Sequence, residues 1–575
     1  MTSTDDVLML GPVALDPAAR RRALERMSSE RLDVLVIGGG VTGAGIALDA
    51  ATRGLTVALV EQRDLASGTS SRSSKLLHGG LRYLEQLDLG LVREALRERD
   101  LHLTRLAPHL ARPVPFLFPL THRAWERAYI GADIALYDTL GGSRHLPPHR
   151  HLSRRRALEL APALRRDALI GAIRYFDASV DDARHTMEVA RTAAAHGAHI
   201  ATSTRVVDLV REEGRVAGAR IRDLEGGREL TVRAAQVVNA SGVWTDRIQG
   251  LVGRGRISVR ASKGVHLVVP RDRIASRTGI ILRTATSVLF VIPWWRHWII
   301  GTTDTDWGLD LAHPAASADD IRYLLDQVNG ILRVPLTHDD VEGVYAGLRP
   351  LLHGESDATS ELTREHAVAT TSAGLISVAG GKYTTYRVMA ADAVDAVARA
   401  LGRDVPSSRT GAVPLLGARG LDDVRSHAGE LAREAALPSA TLERLLGRYG
   451  SLTTEVLATV AERPELGREV PGTGGHLAAE FRYAASHEGA LHLEDALARR
   501  THVSIETFDR GLTSAADVAR LLGEVHGWDA ADIDRELSHY RARVEAELES
   551  QRMPDDRTAD AARLGAPDVR LARVP

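Results

Sequence analysis

The sequence predicts an α/β protein: a discontinuous parallel sheet, an antiparallel β unit set into it, and an all-α C-terminal part. Three observations predict this. A βαβ pattern opens at Asp33, buried strand-like segments return near Gln236 and again at Leu375, and beyond about residue 410 the chain reads as helix throughout. At 575 residues the chain exceeds what one core organises, so two or more lobes are expected.

Residues 1–30 read as an N-terminal arm. VLMLGPVAL (Val7–Leu15) has the length of a signal-peptide apolar region, but Asp5 and Asp6 precede it where cations belong and no small-residue cleavage site follows. From Asp33, DVLVI is a β-branched buried strand, GGGVTGAGIALDAATR a glycine turn feeding a helix, Gly54 its end and TVALVE a second buried strand. Between Val206 and Val232, alternating segments with polar turns predict antiparallel hairpins. QVVNASG (Gln236–Gly242) is a buried strand with a tight turn, and LISVAGGKYTTYRVMAADAVDAVARAL (Leu375–Leu401) is strand, Gly-Gly turn and long helix. Sheet elements at both ends of residues 31–401 imply an insertion between them. GRDVPSSRT (402–410) reads as a linker, 411–552 as a helical domain, and 553–575, polar and proline-containing, as a flexible tail.

Composition removes several functions. Net charge is −2 with a pI of about 6.9, so no basic field recruits nucleic acid. Cysteine is absent, which excludes disulfides, thiolate metal sites and thiol nucleophiles; any redox chemistry belongs to a bound cofactor. No metal site is expected. The most apolar later run, VLFVIPWWRHWII (Val288–Ile300), is too short to span a bilayer and holds Arg296 and His297.

Gly38, Gly40 and Gly43 form GxGxxG between a strand and a helix. The first permits the tight turn, the second lets a pyrophosphate approach the backbone, and the third lets helix and sheet pack closely. Glu61 closes the second strand where a carboxylate accepts from a ribose hydroxyl. Together these predict a Rossmann-like dinucleotide site; the acid disfavours NADP without separating NAD from FAD. The next stretch, RDLASGTSSRSSKLLHGG, separates them, because its hydroxyls and glycines suit a long cofactor passing close to the backbone.

Six segments, GGGVTGAGIALDAATRG, GTSSRSSKLLHGGLRYLE, ASKGVHLVVP, VIPWWRHWIIGTTDTDW, YAGLRPL and AGGKYTTYR, resemble the FAD-dependent, respiratory-type glycerol-3-phosphate dehydrogenases from about Leu32 to Tyr386. RYAASHEGALHLEDALARR (Arg482–Arg500) resembles their C-terminal helical domain. The resemblance implies a glutathione-reductase-like FAD domain with an interleaved substrate domain. It also implies oxidation of sn-glycerol 3-phosphate to dihydroxyacetone phosphate, with hydride passing from C2 to flavin N5 and electrons then to a quinone. A homodimer is the expected assembly. A cytoplasmic location is expected, with peripheral attachment to the inner face of the cytoplasmic membrane left open. THRAWERAYIGADIALYDTL (Thr121–Leu140), with Trp125, Tyr129 and Ile130 among Arg123 and Arg127, suits such contact but equally suits a partly buried helix. The rival readings are a glycerol-3-phosphate oxidase using O2, an amine or amino-acid oxidase of the same superfamily, and a flavin-binding regulator without turnover.

The same motifs imply the site. Arg82 and Arg349 go to the phosphate, where planar guanidinium forks match its oxygens. His266 is the favoured base, with His78 nearer the flavin; Tyr83, Thr303 and Asp304 orient the glycerol hydroxyls; Lys382 serves substrate and flavin together. Flavin binding is implied for Gly38, Gly40, Gly43, Glu61, Gln62, Thr69, Ser70, Ser74, Lys75, His78, Val206, Ala240, Gly242, Gly381, Lys382 and Thr384. Only three lysines occur, Lys75, Lys263 and Lys382, against seventy arginines, and each falls in one of these motifs. A compact ammonium fits where a wide guanidinium would clash, so all three are expected beside cofactor or substrate.

Overall fold

The computed structural model describes residues 13–80, 89–121, 125–141, 145–253, 255, 257–284, 288–352 and 366–571; the side chains of residues 125–128, 132, 133, 141 and 571 lie outside the description. Its first sheet runs in the order His366–Ser372, Leu375–Gly380, Glu229–Asn239, Arg31–Ile37, Val57–Val60 and His199–Ala201. The pairings from Leu375–Gly380 to His199–Ala201 are parallel, and His366–Ser372 adds an antiparallel edge. The hairpin Thr204–Glu212 and Arg215–Asp223 joins antiparallel to Glu229–Asn239.

Residues Val34–Ile37 of strand Arg31–Ile37 are apolar in succession because both faces of the sheet are covered there. Val34 and Val36 pack under helices Val41–Thr52 and Tyr386–Leu401, while Leu35 and Ile37 pack on the other face with Leu24 and Met27 of helix Pro17–Ser29. That helix lies within the segment expected as an N-terminal arm, and its buried face packs on the sheet. Asp16 caps it by accepting from Ala19 N at 2.6 Å, and Arg20 pairs with Asp223 at 2.6 Å.

The second, ten-stranded sheet fills the insertion. Near one end of it, strand Val259–Pro270 pairs antiparallel with Gly343–Leu352 and with His297–Gly301. Beyond these come Val288–Trp294, Gly279–Arg283, Ala111–Leu120 and Gly171–Val180; the single parallel pairing among the described residues of this sheet joins Gly279–Arg283 to Ala111–Leu120.

The C-terminal domain packs helices Ser439–Tyr449, Thr453–Glu462, Ala478–Ser486, Ala515–His526 and Ala530–Ser550 around its own core. Buried ion pairs bind it to the first lobe: Arg500 and Arg499 reach Asp64 at 2.7 and 2.5 Å, and Arg184 reaches Glu488 at 2.7 Å. Removing one partner from such a pair costs about 3–5 kcal/mol.

The tail is a correction. Asp555 caps helix Asp556–Leu564 by accepting from Thr558 N at 2.9 Å, and Asp568 and Arg570 beyond it are buried. Their charges are matched by residues far away in sequence, which local composition does not reveal. Among the described residues no helix is long and apolar enough to cross a membrane.

Candidate functional site

One cavity of about 1220 Å³ receives residues from both sheets and from the end of the chain. It exceeds the roughly 300–1,000 Å³ of a drug-sized site, which suits an elongated cofactor plus a small substrate.

The dinucleotide turn forms its first wall. Gly38 has φ +114°, and a Cβ there would meet Ala240 O at 2.6 Å. Gly40 precedes helix Val41–Thr52, whose Val41 N–H donates to Ser70 Oγ at 2.9 Å. Gly43 does not line the cavity; its part is packing, since a Cβ there would stand 1.9 Å from Gly38 O. Glu61 accepts from Gly39 N at 2.7 Å and Arg63 N at 2.9 Å, and burial raises its pKa. Those two bonds fix the carboxylate and leave each oxygen a second lone pair for a ribose. Gln62, Val206, Ala240 and Gly242 line the same end.

The loop after the second strand follows. Thr69, Ser70 and Ser74 line the cavity; Thr69 Oγ1 donates to Leu348 O at 2.6 Å, tying the loop to the second sheet. His78 also lines it, its backbone N–H donating to Thr384 Oγ1 at 3.2 Å. Gly381, at φ +76°, Lys382 and Thr384 complete this part, with Lys382 preceding the turn Tyr383–Thr385 that opens helix Tyr386–Leu401. The backbone cradle, the placed acid and this cation fit FAD.

The second sheet supplies the chemistry. Ser262 stands opposite Arg349, Gly264 opposite Gly347 and His266 opposite Tyr345. Because side chains alternate along a strand, these six positions share one face. Arg349 donates to Ser262 Oγ and Asp304 Oδ1, each at 3.3 Å, and to Thr302 Oγ1 and Thr303 O at 3.2 and 3.1 Å. The His266 ring stacks on Tyr345 at 4.7 Å, and its Nε2 lies 2.9 Å from Ser74 Oγ. Its Nδ1 is buried with no hydrogen-bond partner among the described residues. Burial, then the charges of Arg349 and Lys75, hold the imidazole well below its ordinary pKa, so it is neutral.

Three expectations change. Lys263 is absent from the cavity: it is buried on the opposite face, its Nζ 2.5 Å from Asp320 and also paired with Asp556. Lys75 lies in the loop, but its buried Nζ turns to Asp182 at 2.6 Å and to Ser71 O at 3.2 Å rather than to the cavity. Both ammoniums balance buried carboxylates. Thr303 is buried away from the cavity, its hydroxyl accepting from Val265 N at 3.0 Å; the neighbouring Thr302 lines the cavity instead. Arg82 and Tyr83 lie outside the described residues, as do Arg123 and the side chains of Trp125 and Arg127. Tyr129 is exposed and Ile130 lines the cavity.

Arg72, Asp177, Thr302 and Arg563 line the cavity without having been singled out in sequence. Arg72 lies within the quoted hydroxyl-rich loop, and Thr302 two positions before the Asp304 that holds Arg349; Arg563 carried no signal.

Comparison with known proteins agrees with this geometry. Residues 33–387 match the family model described as FAD dependent oxidoreductase, and 408–533 match that of the C-terminal domain of alpha-glycerophosphate oxidase. The chain is 60% identical over 558 residues to glycerol-3-phosphate dehydrogenase 2 of Mycobacterium tuberculosis, covering 97% of this chain and 95% of that protein. It is 37% identical to the mitochondrial glycerol-3-phosphate dehydrogenase of Bos taurus, over 92% of this chain and 75% of that one. The solved structure of glycerol-3-phosphate dehydrogenase from Bacillus halodurans complexed with FAD superposes with a TM-score of 0.74 at 32% identity, covering 92% of this chain and 97% of that one. The dinucleotide turn, the two-sheet cavity and these relatives together assign the chain to the FAD-dependent glycerol-3-phosphate dehydrogenase family.

Proposed function

We propose that the protein oxidises sn-glycerol 3-phosphate at C2 to dihydroxyacetone phosphate. The observation that supports this most is the pairing of Ser262 with Arg349 and of His266 with Tyr345, which brings a guanidinium and a neutral imidazole to one face beside the dinucleotide turn. FAD, when bound, supplies the two-electron acceptor for the hydride that leaves C2.

The chain's own residues do the rest. Asp304 and Thr302 hold the Arg349 fork, which binds the phosphate dianion. If His266 Nε2–H donates to Ser74, Nδ1 is left to accept the C2 hydroxyl proton as the C–H bond breaks. A dianion on Arg349 cancels part of the repulsion that keeps His266 neutral, so substrate binding itself raises the basicity of the imidazole. Lys382, at the start of a helical turn, adds positive potential where negative charge grows on reduction. Arg82 and Tyr83 join the substrate contacts on this reading.

The electrons go on to a quinone, and a homodimer meets the membrane peripherally. Partly exposed Tyr129 and Leu136 on helix Trp125–Gly141 are consistent with that contact. The test is anaerobic mixing with one equivalent of substrate: sn-glycerol 3-phosphate bleaches the flavin in a single turnover, and glycerol does not. Bleaching by glycerol alone would overturn the reading. Reoxidation by a soluble quinone without stoichiometric peroxide separates the quinone acceptor from oxygen.

A further inference from the structure

The end of the chain is tied to the loop that follows the second parallel strand. Arg63, two residues past Glu61, places Nε 3.4 Å from Asp568, and its carbonyl accepts from Ser203 N at 2.7 Å. Ser203 Oγ accepts from Arg570 Nε at 2.7 Å, and Arg570 donates two more bonds to Asp495 at 3.0 and 2.8 Å. Arg563, Asp568 and Arg570 line the cavity together with Glu61 and Gln62. The terminal segment is therefore a wall of the nucleotide end, fastened to both the FAD domain and the helical domain.

A second observation points to what that wall encloses. Arg72 lines the same cavity, and its guanidinium has no hydrogen-bond or ion-pair partner among the described residues. Its backbone runs so close to the second sheet that a Cβ on Gly347 would stand 2.5 Å from Arg72 O. Burial, then repulsion from Arg563 and Arg63, pushes its pKa down to about 9, with Glu494 offsetting only part of this. A partly buried cation facing two others is stabilised by an anion placed among them. Arg72 also lies two residues past Ser70, whose hydroxyl accepts from the first N–H of the dinucleotide-turn helix, the end of a helix that favours phosphate.

We propose that Arg72 binds the pyrophosphate of the cofactor, and that residues 556–571 form a clasp closing the nucleotide half of the cavity over it. The proposal rests on the assignment of FAD to this cavity and adds cofactor contacts that lie outside the glycine fingerprint. A charge-assisted contact of this kind is worth roughly 10–100-fold in affinity.

The experiment compares wild type, Arg72→Ala and a chain ending at Gly565. Flavin release is followed by fluorescence after dilution, and the apoproteins are melted with and without ADP, which carries the diphosphate but no flavin. ADP raises the melting temperature of the wild-type apoprotein. In Arg72→Ala that rise is lost and FAD leaves about 10–100-fold faster, while the melting temperature of the apoprotein itself is unchanged. The shortened chain also releases FAD faster. Should that chain fail to fold, Asp568→Asn, which frees Arg63 and loosens the clasp, takes its place with the same readouts. Wild-type release rates and an intact ADP response in Arg72→Ala would overturn the role of Arg72, and unchanged release from the shortened chain or Asp568→Asn would overturn the clasp. A wild-type protein that binds no FAD would instead overturn the cofactor assignment beneath both.

Discussion

Lys263 and His266 stand three positions apart on strand Val259–Pro270, so their side chains leave opposite faces of the sheet. His266 meets the cavity; Lys263 meets Asp320, with Asp556 of the terminal helix on its other side. Lys263→Met therefore strips the counter-charge from a buried carboxylate, and the expected cost is about 3–5 kcal/mol of stability. Thermal unfolding reads it as a fall of several degrees, while the folded fraction keeps its KM. A variant with wild-type stability and a raised KM would return Lys263 to the site.

His266→Asn removes the nitrogen assigned to the hydroxyl proton, and kcat is expected to fall about 10²–10⁴-fold with FAD content intact. Burial, Arg349 and Lys75 all favour the neutral imidazole, so the acid limb of kcat/KM in the wild type lies below pH 6.5. Replacing Arg349 by Met deletes one of the repelling charges and moves that limb upward, besides weakening substrate binding. The measurement is a pH–rate profile of both variants. An acid limb indifferent to Arg349 would mean that some other group titrates.

The strand–turn–helix–strand opening, the return of the sheet at Gln236 and Leu375 and the helical C-terminal domain were legible because each carries its own local period or glycine turn. The site was legible wherever a motif sits on one sheet face or one turn: Gly38, Glu61, His266 and Arg349 line the expected cavity. Lys263 departs from the expectation although the sequence holds the reason, since three residues along a strand is an odd step and reverses the face. Lys75 departs from it for a different reason: its partner, Asp182, is 107 residues away, and no spacing announces it. The ordered chain end was hidden in the same way, because Asp495 and Ser203, which hold Arg570, come from two other regions of the chain.

Those long-range charges make the domain junction sensitive to pH. His492 of the helical domain lies between Glu225 of the first lobe at 2.8 Å and Glu536 at 2.9 Å. Burial lowers its pKa and Arg570 adds to that, but the two carboxylates override both and raise it to about 9. A histidine held above its unfolded value near 6.5 contributes stability that is complete below that pH and is lost as pH rises through 9. The shift corresponds to roughly 3 kcal/mol between pH 6 and pH 10. The melting temperature is expected to fall across that window and to do so less in His492→Gln. Parallel curves for the two proteins would show that the junction does not titrate there.

Gly264 isolates the positioning of the phosphate fork from its charge. It lies opposite Gly347 between the Ser262–Arg349 and His266–Tyr345 pairs, and a Cβ there would stand 2.6 Å from both Arg349 Nη2 and Thr302 Oγ1. The backbone at this position is not in the left-handed region, so alanine brings no φ strain. What must move is the guanidinium, the far end of a long side chain, together with the Thr302 hydroxyl, and their parting breaks the bond that holds the fork. Gly264→Ala is expected to raise KM for sn-glycerol 3-phosphate about tenfold or more, with melting temperature and FAD content near wild type. Since the base stays in place, kcat at saturation falls much less than in His266→Asn. Steady-state kinetics beside a thermal melt decide it: a normal KM would mean that the Arg349 fork is not where the phosphate binds.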